Sequence, residues 1–107
     1  IEISMSKDYS PATSISPIDN KAYQTIGKTI KEVFNNTIVA PSLMIAATDQ
    51  KHYTGISENR YRFLPVQLDA TALKGIHGIN EKVGIDNYQL IIQFYEQLIQ
   101  NACIKTP

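Results

Sequence analysis

The sequence predicts an α/β domain in which two long helices flank two or three short strands. Ile18, Ala22, Tyr23, Ile26, Ile30, Val33 and Phe34 recur at helical spacing and leave Lys21, Lys28, Lys31 and Glu32 off the apolar face. A second helical period runs through Tyr88, Leu90, Ile91, Ile92, Phe94, Tyr95, Leu98, Ile99 and Ala102. Between them, TIVAPSLMIAAT is apolar on both alternating sets, the pattern of a strand covered on both faces.

The chain opens on an Ile1-Ile3-Met5 alternation, read as a strand over residues 1–5. The Ser- and Pro-rich stretch YSPATSISPID reads as a linker over residues 6–17, and residues 18–107 follow as one structural region. Ser16 is placed as an N-cap, with Pro17 at the first helical position and Asp19 in the first turn, where a carboxylate meets the positive end of the helix dipole. That helix ends at Asn35-Asn36. Pro41 belongs near the start or the edge of the next strand, because it cannot donate a ladder hydrogen bond. Thr48 or Asp49 caps a short helical turn, and RYRFLPV gives a shorter strand ended by Pro65. LDATALKG is a helical turn closed by Gly75, and IHGINE forms the following loop. The last helix, capped by Asp86, is apolar over more than half its circumference, more than so few strands can cover. With no initiator Met and an opening that reads as mid-strand, the chain is expected to be a piece of a longer protein, with partner elements missing.

Composition narrows the function classes. The 107 residues are 43% hydrophobic and carry 10 basic and 10 acidic side chains, formal net charge zero, with the basic residues dispersed. Nucleic acid is not an expected partner, since binding phosphates needs a clustered basic patch. No apolar run approaches the roughly 20 residues of a membrane span. The lone Cys103 cannot form an internal disulfide and reads as a buried thiol. Asn35-Asn36-Thr37 matches a glycosylation triplet that decides nothing by itself.

No G-x-S-x-G elbow and no Gly-rich phosphate loop is present, and Cys103 has no histidine nearby in sequence. Arg60 and Arg62, flanking Tyr61, could hold a carboxylate by bidentate hydrogen bonds, though alternating Arg more often marks a solvated or salt-bridged face. The only histidines are His52 and His77. A zinc site needs three or four protein ligands, usually with second partners orienting each imidazole. On spacing alone, His77 reads as an ordinary loop histidine, solvated or bonded to backbone, rather than as a ligand, and Asp49 and Glu81 could support a ligand or cap turns.

Taken in order, SISPID, APSLMIAATDQKHY, NRYRFLPV, IHGINEKV and YQLIIQFYEQLIQNA resemble the C-terminal part of the carboxypeptidase S type of zinc metallopeptidases. These are related to glutamate carboxypeptidase, aminoacylase and succinyl-diaminopimelate desuccinylase. The resemblance runs from about residue 1 to residue 102, and its T-D-x-x-H-Y, Y-R-F-x-P and H-G-x-N-E motifs stand in the family order.

The resemblance implies a three-layer catalytic domain, partial here, with long helices packed on a small mixed sheet. Residues 1–5 would be the last strand of an inserted lid domain, 6–17 the return linker, and 18–107 the C-terminal portion of the catalytic domain. It implies two zinc ions and makes His77 the last zinc ligand in the chain. Gly78 would let the backbone pass close to the metals, and Asn80 and Glu81 would shape the loop by hydrogen bonds. Asp49 takes a supporting polar role at the strand end, and His52 is a candidate substrate contact. The implied reaction is hydrolysis of an amide bond next to a free carboxylate, in small peptides or N-acyl amino acids. The catalytic glutamate and the other ligands belong to the N-terminal half of the family pattern, so the isolated piece is expected to be inactive. The competing reading is a noncatalytic binding or dimerisation module that keeps the domain shape. Uncovered apolar faces make self-association an expectation in either case.

Overall fold

The computed structural model describes Ser4 and residues 12–103. The expected strand over residues 1–5, Ser4 apart, and the first part of the linker lie outside the described residues. Helix α1 spans Lys21–Val33, a 3₁₀ turn Asp49–Tyr53, helix α2 Ala70–Gly75 and helix α3 Ile85–Cys103. Among the described residues the architecture is an α1–α3 pair with long, mostly irregular connections.

Each helix follows from local chemistry, with one displaced start. Helix α1 begins four residues later than the Ser16–Pro17 signal, with Asn20 as its N-cap accepting from the Tyr23 backbone N–H at 2.9 Å. The expected cap is occupied elsewhere. Ser16 Oγ donates to the Arg60 carbonyl at 3.0 Å and accepts from the Arg60 N–H at 3.1 Å. Asn20 also anchors the next segment, because the Tyr61 hydroxyl lies 2.9 Å from its Oδ1 and within reach of the Pro17 carbonyl. Thr48 caps the 3₁₀ turn, and Asp69 Oδ1 caps α2 by accepting from the Thr71 and Ala72 N–H groups. Asp86 lies in the first turn of α3, not at its cap, and the Gly84 carbonyl accepts from the Tyr88 N–H at 2.9 Å.

The core lies between the two long helices. Ile30 of α1 and Phe34, the residue at its C-cap, meet Phe94 of α3, with Ile26, Val33, Val39, Leu90 and Leu98 packed around them. Phe94 is 1% exposed, and its ring lies 6.3 Å from Phe34, 5.1 Å from Phe63 and 5.6 Å from Tyr95 between centroids. Burying such a ring stabilises by about 1.5–3 kcal/mol, and favourable aromatic pairs add about 0.5–1.5 kcal/mol each. At the far end of the pair Asn101 is a polar tie. Its Nδ2 donates to Thr29 Oγ1 at 3.0 Å and to Glu32 Oε2 at 2.7 Å, and its Oδ1 accepts from Lys28 Nζ at 3.1 Å. Thr29, fully buried, is satisfied by that bond and by donating to the Thr25 carbonyl at 2.8 Å.

The described residues contain no strand, although strands were expected over 37–48 and 60–66. Both stretches lack regular secondary structure, with a bend at Ala46 and a tight turn closed by the Val66 N–H on the Leu64 carbonyl at 2.8 Å, and they form no ladder with each other. Arg62 Nη1 donates to the Met44 and Ala46 carbonyls at 3.2 and 3.1 Å, occupying acceptors a ladder would use. Ile38, Leu43 and Ile45, expected to be covered on both faces, are 91%, 84% and 93% exposed. Along α3, Ile85, Tyr88, Ile92, Tyr95 and Ile99 form a second apolar stripe, exposed beside the buried one. Cys103, expected to be buried, is exposed. The radius of gyration is 17.2 Å, against roughly 13 Å for a compact domain of this length.

Phe94→Ala should destabilise the chain by about 3–5 kcal/mol, enough to abolish cooperative unfolding, whereas Ile92→Ala on the exposed stripe should change stability by about 0.5 kcal/mol or less. Urea unfolding followed by circular dichroism measures both; equal effects would place the core elsewhere.

Candidate functional site

The His77 loop is held at its base. Asn87, in the first turn of α3, accepts from the Gln67 N–H through Oδ1 and donates to the Gln67 carbonyl through Nδ2, both at 2.9 Å. This reciprocal pair closes an excursion over residues 68–86, which carries α2 and the loop behind it. Helix α2 ends at Gly75, and the turn continues through the Gly78 N–H donating to the Gly75 carbonyl at 2.8 Å.

Inside that turn His77 has φ 61, in the left-handed region. Such a conformation costs a residue with a Cβ about 1–2 kcal/mol relative to glycine, although histidine tolerates it better than most. The Glu81 carboxylate holds it there, Oε2 accepting from the His77 backbone N–H at 3.1 Å. Glu81 therefore secures the backbone of the loop and not the imidazole. The His77 side chain is exposed, and its ring makes no hydrogen bond to another described residue. At Gly78 a Cβ would lie 2.9 Å from the Gly75 carbonyl oxygen. Glycine is required here by the approach of the chain to itself, a local reason distinct from the expected closeness to metal. Asn80 is exposed on the same turn.

The other candidates sit apart in sequence, on the 3₁₀ turn. Asp49 is its first residue and His52 lies within it, both exposed. No hydrogen bond or ion pair among the described residues joins either of them to the His77 loop. Nor do the described residues gather three His, Cys, Asp or Glu side chains that could hold a metal ion. The residues present fit one corner of a zinc site, a free exposed imidazole, and do not by themselves make a complete one.

Gln50, not singled out from the sequence, organises the region around the arginines. Its Nε2 donates to the Arg60 carbonyl at 2.8 Å, and its Oε1 accepts from Arg62 Nε and Nη2 at 3.0 and 2.9 Å. Arg60 and Arg62 do not form the solvated or salt-bridged face suggested by their alternation. Arg60 is buried, and the ion pair between described residues is Lys28–Glu32.

Comparison with known proteins decides the family. The chain is 46% identical over 91 residues to the N-fatty-acyl-amino acid synthase/hydrolase of Mus musculus, covering 82% of this chain and 18% of that protein. It is 36% identical over 102 residues to the probable carboxypeptidase S-like 2 of Dictyostelium discoideum, covering 95% and 20%. With carboxypeptidase S of Saccharomyces cerevisiae it shares 30% identity over 110 residues, covering 95% and 19%. Over most of its length the chain is a carboxypeptidase S-like fragment. It spans about a fifth of the length of these relatives. No family model matches the chain. No solved structure matches it either. In this chain the H-G-x-N-E stretch is an exposed loop whose backbone is held by Glu81.

His77→Gly should stabilise the chain by about 1 kcal/mol by relieving the left-handed residue, and Gly78→Ala should destabilise it by about 1–3 kcal/mol. Thermal unfolding of both variants measures this; a loss of stability in His77→Gly would mean that the imidazole is itself a structural contact.

Proposed function

We propose that this chain is the C-terminal portion of the catalytic domain of a zinc-dependent hydrolase. Its substrates would be small peptides or N-acyl amino acids, cleaved at an amide bond next to a free carboxylate. The support is the likeness, over most of the chain, to relatives whose names specify carboxypeptidase and N-fatty-acyl-amino acid synthase/hydrolase activity.

The observation that carries the site is the conformation of His77. A histidine kept at φ 61, where glycine would be cheaper, with its ring free and exposed, points to a role for the side chain outside this chain's own packing. In this reading His77 supplies one zinc ligand. Glu81 fixes the direction in which the loop offers the ring, and Gly78 permits the tight turn that carries it. The chemistry a zinc pair supplies is activation of water and polarisation of the scissile carbonyl. Asp49 and Asn80 take supporting polar roles near the site, and His52 contacts substrate.

The remaining ligands and the catalytic glutamate lie in the rest of the longer protein, so the 107-residue chain alone is inactive. In this reading residues 18–103 are part of a three-layer α/β domain. Segments 37–48 and 60–66 join the domain's sheet once neighbouring strands are present to receive their backbone hydrogen bonds. The exposed stripe on α3 is covered by the same protein, and in the isolated chain by a second copy.

In the full-length protein, His77→Ala should remove at least one bound zinc per chain and lower amide hydrolysis by about two orders of magnitude or more, whereas His52→Ala should chiefly raise KM. Metal analysis and steady-state kinetics on N-acyl amino acids check this; full zinc content and activity in His77→Ala would contradict the assignment.

A further inference from the structure

Arg60 lies outside any helix, yet only 7% of it is exposed. Its backbone is fastened by Ser16 Oγ and Gln50 Nε2, and its Nη2 donates to Ser14 Oγ at 2.7 Å. The Nε and Nη1 atoms are buried and have no hydrogen-bond partner among the described residues. A guanidinium cannot shed its charge by deprotonation, so burial leaves a fixed positive charge with unmet donors. Such a group is unfavourable unless an anion completes it. The neighbouring cation Arg62 is satisfied by neutral acceptors, Gln50 Oε1 and the Met44 and Ala46 carbonyls, so its partners bring no anion to Arg60.

Arg60 lies in the wall of a cleft of about 320 Å³, at the lower end of the range for small-molecule sites. Ile18, Tyr23, Val39, Met44 and Phe63 contribute apolar wall, and no described Asp or Glu lines it. We propose that this cleft binds a small organic carboxylate with an apolar body. The carboxylate docks on one edge of the Arg60 guanidinium and the body lies along the apolar wall. On either edge it takes one of the free donors together with Nη2, the atom Ser14 now holds. Ser14 is exposed and on the rim, so its hydroxyl is the group the ligand displaces. The site involves none of the His77 loop and stands independently of the zinc-ligand assignment.

The test is titration of the 107-residue chain with hexanoate at constant chloride, with 1-hexanol as the uncharged control. Binding is followed through the Arg60 Nε–H resonance and the thermal midpoint. Hexanoate should give a saturable shift of that resonance and raise the midpoint, and hexanol should do neither. Arg60→Gln should weaken hexanoate by about tenfold or more, the worth of a charge-assisted hydrogen bond. Ser14→Ala, which leaves the guanidinium in place, should tighten it several-fold. Absence of a saturable response in the wild-type chain, an equal response to hexanol, or unchanged affinity in Ser14→Ala would each overturn the proposal. So would undiminished affinity in a folded Arg60→Gln.

Discussion

The structure depends on the burial of one ring. Phe94 is the point at which α1, through Phe34 at its C-cap, and the segment after Tyr61, through Phe63, meet α3. With so few other buried residues, the relative placement of the two helices rests on this contact and on the Asn101 tie at their far end. Positioning of the loop follows from it. Once α3 is seated, Asn87 in its first turn grips Gln67, and the excursion bearing His77 can leave the helix pair only from that closed base.

The helices were readable in the sequence because their information is local. Apolar spacing, Thr48 and Asp69 as caps and Gly75 as a terminator act within a few residues of where they stand. The start of α1 was misread because Ser16, a competent cap, forms two hydrogen bonds with the backbone of Arg60, 44 residues away. No windowed pattern carries that competition. The strands differ for a related reason. TIVAPSLMIAAT has the composition of a doubly covered strand, but a strand is completed by neighbours, and none is present among the described residues.

At the candidate site the sequence pointed to His77 only through the order of motifs along the chain. Its backbone conformation, the grip of Glu81 on its N–H and the need for glycine at 78 come from three-dimensional geometry. The alternation of Arg60 and Arg62 was visible, but their burial and the bridging by Gln50 were not, since a lone Gln in a polar turn carries no distinguishing pattern. A chain one fifth as long as its relatives, with a radius of gyration of 17.2 Å and an apolar stripe open along α3, has the physical character of a part built against other parts.

The central claim is that the ring of His77 binds metal in the intact protein. The most direct measurement is the nitrogen-15 spectrum of the histidine side chains in the full-length protein, with His77 assigned by substitution, recorded with zinc and after its removal by a chelator. Metal coordination predicts that the His77 ring nitrogen resonances move when zinc is removed by the chelator and return when it is restored. Ring nitrogen resonances that are identical in both samples would contradict the account.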